Sequence, residues 1–191
     1  MKCIICEVWS YLIICKRCQY DFLQPRLYKR EIRKNFFIYS FYNYEEIQDL
    51  LSAKYHFCGD RILNILALNS FALFAKEFLF NTETLAIPID DHTRHEFSHT
   101  AILTKHLNSK NIISTYNVLK AQNKVVYAGK KLSFRKKNPR NFILKNIRNK
   151  KIILVDDVLT SGTTLKEAFN ICSLNNEVLF ALCLTDAKHR N

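Results

Sequence analysis

With 191 residues, 48% of them apolar and only three glycines and three prolines, the chain is long enough for one real core plus a small appendage. That balance excludes a disordered or low-complexity protein. The formal net charge of +12 is concentrated: residues 120–151 hold twelve Lys or Arg and no acid, while the rest of the chain carries seventeen of each sign.

The N-terminus reads Cys3-x2-Cys6-x8-Cys15-x2-Cys18. Two thiolate pairs at this spacing form two knuckles that close a tetrahedral zinc site, and Trp9, Tyr11, Leu12 and Ile13 between them suit a short hairpin. The alternatives are disulfides, which a reducing compartment disfavours, and a redox Cys-x-x-Cys, which would follow a strand. Cys58, Cys172 and Cys183 sit among apolar residues and read as core. Cys3, Cys6 and Glu7 interrupt any apolar leader, and the weakly polar stretch 62–75 is too short and too broken by Asn64, Asn69 and Ser70 to span a membrane. The expected location is the cytoplasm, including a peripheral place at the inner face of the membrane.

Residues 24–42 mix bases with aromatics, among them Arg26, Tyr28, Arg30, Arg33, Phe37 and Tyr39, and alternate as a small hairpin packed on the main domain. Their rings either line a groove for single-stranded nucleic acid or pack inward, leaving only charge in water. This divides the chain into a zinc-ribbon-like module with its hairpin (1–42) and an α/β domain (43–191). Helices follow at about Tyr44–Lys54 and Asp60–Phe80, a buried strand at Leu85–Ile89 ending in Asp90-Asp91, a helix at Phe97–Leu107 and a strand near Ile112–Leu119. His92, His95, His99 and His106 are assigned no metal. The basic segment comes next; its Lys130, Lys131, Arg135, Lys136, Lys137 and Arg140 are candidates for nucleic-acid contact, or simply a solvated face.

Lys151–Thr164 then reads as strand, acidic pair, tight loop and helix. Ile152–Val155 is a run suited to a strand buried on both faces, and Leu165, Ala168, Phe169 and Cys172 recur at helical spacing. Thr160, Ser161, Gly162, Thr163 and Thr164 fall at the helix N-terminus, where unpaired N–H groups favour a phosphate and the glycine permits close approach. Asp156 and Asp157, ending the strand, would face polyol hydroxyls or a hydrated cation. Asn175-Asn176 turns into a last strand, Val178–Leu184. Strands alternating with helices predict a mainly parallel sheet flanked by helices.

Asp156–Thr164 resembles the PRPP-binding motif of type I phosphoribosyltransferases: apolar run, Asp-Asp, Val, then Thr-x-Gly-x-Thr. The resemblance implies that fold, an acidic pair on the ribose hydroxyls, a loop holding the 5-phosphate, and Mg2+ bridging pyrophosphate and ribose oxygens. The order of cysteine knuckles, Lys54-Tyr55…Gly59-Asp60, a Pro-ended strand, Arg135-x-x-Asn138 with Phe142, and this motif is similar to the ComF (ComFC) family of competence proteins. That likeness implies a part in natural transformation, with single-stranded DNA, a ComFA-type helicase and DprA as partners. The chain has Tyr127 near the position of a usual glutamine, and His95-Glu96-Phe97-Ser98-His99 where the family favours Arg-Gly-Phe-Asn-Gln. Glu96 supplies neither the free backbone nor the cation that a pyrophosphate loop needs. The 5-phosphate half of the site thus matches better than the pyrophosphate half, which suits binding or sensing more than transfer. The competing functions are a nucleobase phosphoribosyltransferase and a nucleotide-sensing adaptor.

Overall fold

The computed structural model describes residues 1–53, 58–89, 97–123 and 132–188. Within them the chain runs α1 (Lys16–Phe22), β1 (Tyr28–Arg33), β2 (Phe36–Asn43), α2 (Tyr44–Ser52), α3 (Gly59–Leu68), α4 (Phe71–Glu77), β3 (Thr84–Pro88), α5 (His99–Lys105), β4 (Ile112–Ser114), β5 (Leu119–Ala121), α6 (Leu132–Lys137), β6 (Phe142–Leu144), β7 (Lys151–Leu159), α7 (Thr163–Cys172) and β8 (Glu177–Asp186). Six strands form one sheet in the order β1-β2-β8-β7-β3-β4; every pairing is parallel except that of the edge hairpin β1–β2, and β5–β6 make a separate antiparallel pair. The mainly parallel sheet with flanking helices is the architecture expected from the sequence.

The central strands are apolar because both faces of the sheet are covered. Ile153 and Val155 face a core shared with α2, α3, α4 and α5, whereas Ile152 and Leu154 face α7 and the β5–β6 pair. All four are fully buried, each burial favouring the fold by about 1.5–3 kcal/mol. The first core also takes in Cys3, Ile13, Ile14, Cys18 and Leu23, so the cysteine knuckles share their apolar contacts with the helices. Asn69 reinforces that contact by donating to Gln19 Oε1 at 3.1 Å.

Several elements depart from expectation for local reasons. The helix expected over 60–80 is two: Ser70 Oγ and Asn69 Nδ2 take the carbonyls of Leu66 and Ile65 (2.6 and 2.8 Å) and end α3. The strand expected over 112–119 breaks into β4 and β5 at Asn117, whose φ is 61°. Helix α5 starts at His99 because the Ser98 hydroxyl accepts from Ala101 N at 3.2 Å as its N-cap. The Lys2–Trp9 bridge closes around the first knuckle, and residues 11–14 between the knuckles are bends leading toward α1, rather than a hairpin. The hairpin of 28–43 is hydrogen-bonded into the sheet through β2 and β8, from Ile38↔Ala181 to Asn43↔Asp186. Its rings mostly pack inward: Phe36, Phe41 and Tyr42 are buried, and Tyr39 stacks edge-on against Phe180 at 5.5 Å.

Candidate functional site

Strand β3 is followed through α5 by β4 on one side of the sheet, and β7 through α7 by β8 on the other. The connections diverge between β3 and β7, and a crevice opens at such a switch point beyond the carboxyl ends of the strands. The pairing of β3 with β7 stops at Pro88↔Val155, one residue before the acidic pair. On the other side β7 continues beyond it, with Asp156↔Cys183 and Leu159↔Asp186. The carboxylates therefore do not end β7, as expected from the sequence, but leave the sheet edge on the β3 side only.

Both aspartates are half-buried and are fixed by backbone donors: Asp157 N donates to Asp156 Oδ1 at 2.9 Å and Val158 N to Asp157 Oδ1 at 2.7 Å. The negative field is felt on β8, where burial first, and then Asp156, Asp157 and Asp186, push the Cys183 thiol well up. Cys183 and Cys172 are buried, and burial pushes Cys172 up to about 12, so both are inert core thiols as expected.

The loop Thr160–Gly162 leads directly into α7. Gly162 has φ 74°, and a Cβ there would lie 3.1 Å from Ile32 Cδ1. Ser161 Oγ is 3.0 Å from Thr163 Oγ1 and 3.4 Å from Thr163 N, and Thr164 follows in the first turn. Gly162→Ala is expected to cost about 1–2 kcal/mol from the left-handed backbone alone, before the contact with Ile32. A urea titration giving wild-type stability would contradict this account.

Two side chains join the site that sequence reasoning gave other roles or none. His99, at the start of α5, brings Nδ1 to 3.8 Å from Asp157 Oδ2, with side chains only 11% and 19% exposed. Arg140, a DNA candidate on sequence grounds, is half-buried beside Asp156, Glu167 and Asp157; burial lowers its pKa and the three carboxylates oppose that. Its backbone N–H donates to Glu167 Oε2 at 2.8 Å, and burial raises the Glu167 pKa against the pull of Arg140. Among the other DNA candidates, Lys137 is exposed on α6. Lys130, Lys131 and the side chains of Arg135 and Lys136 lie outside the described residues, as do Lys54, Tyr55, Asp90, Asp91, His92, His95, Glu96 and Tyr127.

The four N-terminal cysteines converge. Their sulfur atoms all lie within 4.8 Å of one another, and Cys6 Sγ is 3.7 Å from Cys15 Sγ. Four sulfurs at tetrahedral corners about 2.3 Å from zinc would stand roughly 3.8 Å apart, so the donor set and its spacing fit that ion. Backbone N–H groups of Cys15 and Cys18 donate to Cys3 Sγ (3.3 Å) and Cys15 Sγ (3.4 Å), orienting and stabilising thiolates. Burial pulls the Cys3 thiol up, but N–H donors from Cys15, Cys6 and Ile5 outweigh it and bring it down to about 6. Burial, then the neighbouring thiols, push Cys18 up. Nearby Trp9, 78% exposed, Tyr11 and Tyr20 present rings to solvent. No helix among the described residues is long and apolar enough to cross a membrane.

No family model matches the chain. An orotate phosphoribosyltransferase of Yarrowia lipolytica (strain CLIB 122 / E 150) is 33% identical over 64 residues, 30% of this chain and 29% of that protein. The chain thus spans less than a third of that curated relative, and over this segment it is related in sequence to a phosphoribosyltransferase. Among solved structures, a hypoxanthine phosphoribosyltransferase from Staphylococcus aureus aligns with TM-score 0.40 and 14% identity over 68% of this chain and 65% of that one. An adenine phosphoribosyltransferase aligns with TM-score 0.38 and 10% identity over 89% of each chain.

Proposed function

We propose that the chain binds PRPP, or a closely related phosphorylated sugar, with Mg2+ at the β3–β7 switch point, and handles incoming single-stranded DNA on a separate surface, as a cytoplasmic competence protein of the ComF kind. The PRPP reading is carried by one observation: the Asp156–Asp157 pair leaves the β3 side of the sheet in the second half of β7, and the Gly162 loop follows that strand directly into α7. Thr160, Ser161, Thr163 and Thr164 would bind the 5-phosphate with backbone N–H groups and hydroxyls, and the aspartates would hold ribose hydroxyls or Mg2+ through water. Partly buried carboxylates are hard oxygen donors of the kind this cation takes. When bound, Mg2+ neutralises pyrophosphate charge. The sequence relationship to an orotate phosphoribosyltransferase supports a phosphoribosyltransferase-like domain, the setting in which this reading places the site.

Support for DNA comes from charge and exposure. The segment 120–151 holds twelve cations and no acid of its own; Arg140 meets Asp156 and Glu167 and Lys150 pairs with Glu83, while Lys137 is exposed, and Trp9, Tyr11 and Tyr20 offer faces on which bases stack. The ComFA-type helicase and DprA enter only through the family resemblance. A second reading, transfer of the phosphoribosyl group to a nucleobase, is favoured by the orotate enzyme's similarity.

Calorimetric titration of Mg2+-PRPP tests the first reading, and absence of binding would end it. Pyrophosphate release on adding orotate, hypoxanthine or adenine would establish the second. For DNA, Lys136→Glu with Lys137→Glu should weaken binding to single strands of any sequence, flattening the slope of log affinity against log salt by about 0.7 for every phosphate that the protein no longer neutralises. Trp9→Ala should cost roughly 1–3 kcal/mol with the salt slope unchanged. Fluorescence anisotropy over a salt series reads both, and unchanged affinity in both variants would refute the DNA surface.

A further inference from the structure

Arg30 sits on β1, the outer strand of the edge hairpin, where an arginine ordinarily extends its charge into water. Here the guanidinium turns inward and spans two elements. Nη1 lies 2.6 Å from Asp186 Oδ1 at the end of β8, and Nη2 donates to the Thr160 carbonyl at 2.8 Å. The Asp186 side chain is 1% exposed, and the same Oδ1 accepts from Lys188 N at 2.9 Å. Two residues along β1, Ile32 lies against Gly162, so the strand meets the loop at both ends of the Thr160–Gly162 turn.

We infer that Arg30 is the positioning residue of the phosphate loop, an inference that rests on the phosphate-binding reading of that loop. The reason is the planarity of the peptide unit. In a trans peptide the C=O and the following N–H point in opposite directions, so a donor that holds the Thr160 carbonyl toward β1 also fixes the Ser161 N–H on the opposite side. An N–H aimed in advance need not be reoriented when an anion arrives, which makes it a stronger donor. Asp186 holds the guanidinium in place, and its own fixity comes from burial and the Lys188 N–H. The planar fork is essential, because a lysine at this position can satisfy only one of the two acceptors well.

The full-length protein tests this with three variants, read by amide hydrogen exchange at residues 160–164, Mg2+-PRPP affinity, zinc content and melting temperature. Arg30→Met leaves Asp186 buried without its cation and is expected to lower stability as well. Arg30→Met with Asp186→Leu removes both charges and should restore melting close to wild type. Its loop amides should still exchange about tenfold faster and PRPP should bind about tenfold more weakly, because the Thr160 carbonyl is left without its charged donor. Arg30→Lys, which keeps a cation on Asp186, should show the same loop signature with wild-type melting. Wild-type loop exchange in the double variant and in Arg30→Lys would overturn the assignment, reducing Arg30 to a structural ion pair. If the wild-type protein itself binds no PRPP, the ligand reading fails while the exchange comparison still decides the role of Arg30.

Discussion

Cys15→Ser is expected to strip zinc from the purified protein, which in its wild-type form should carry one ion per chain by atomic emission spectrometry. The effect should be large because four thiolate ligands converge on one point, and structural zinc sites of this kind bind by about 10–16 kcal/mol at neutral pH. Loss of the ion leaves thiols in mutual contact, two of them buried, with no cation to offset their ionisation. The damage should spread past the knuckles, since Ile13, Ile14 and Leu23 lie in the core that α2, α3, α4 and α5 share. A fall in melting temperature and faster proteolysis near the N-terminus are the expected signs, reproduced in the wild type by a strong chelator. Full zinc occupancy in Cys15→Ser would refute the cage.

Asp156→Ala combined with Asp157→Ala should remove Mg2+-PRPP binding at a cost of about 3–6 kcal/mol, two charged hydrogen-bonding groups at roughly 1.5–3 kcal/mol each. That is a loss of at least a hundredfold in affinity. The fold should stay intact with a modest fall in melting. Each alanine gives up one local acceptor for a backbone N–H, and the pair no longer faces His99 and the half-buried Arg140. Glu167 still faces Arg140, however, and two of the three carboxylates that push the Cys183 thiol up are gone. Calorimetry showing unchanged affinity would sink the assignment, and a collapsed melting transition would mean that the pair holds the sheet edge together.

What was legible in the sequence was local. The run Ile152–Val155, the glycine at 162 and the helical recurrence of Leu165, Ala168 and Cys172 each act within a few residues, and together they place β7, the loop and α7. The cysteine spacing was equally short-range. Contacts between distant positions left no such mark. Arg140 and Lys137 look alike in a basic run, but one is half-buried against Asp156 and Glu167 while the other meets solvent. His99 looks like any lone histidine until α5 crosses β7, and Arg30 like any edge-strand base until β8 brings Asp186 to it. The break at Asn69-Ser70 was missed because polar residues in a helix read as tolerated interruptions, whereas here their side chains compete for the helix carbonyls.

The parallel pairing of β2 with β8 carries a consequence for how the chain is made. Residues 38–43 find their sheet partner only when residues 181–186 have been synthesised. The hairpin can close early on its own, but until then one edge of β2 has open N–H and C=O groups and the faces of Phe36 and Ile38, which pack in the core with Leu165, Ala168 and Ala181, have no cover. Such non-local closure slows folding and lengthens the life of aggregation-prone intermediates. An early zinc-bound knuckle carrying Ile13, Ile14 and Leu23 would shorten that exposure, by giving the first half of the chain a fixed apolar surface on which α2, α3 and α4 collapse before the last strand arrives.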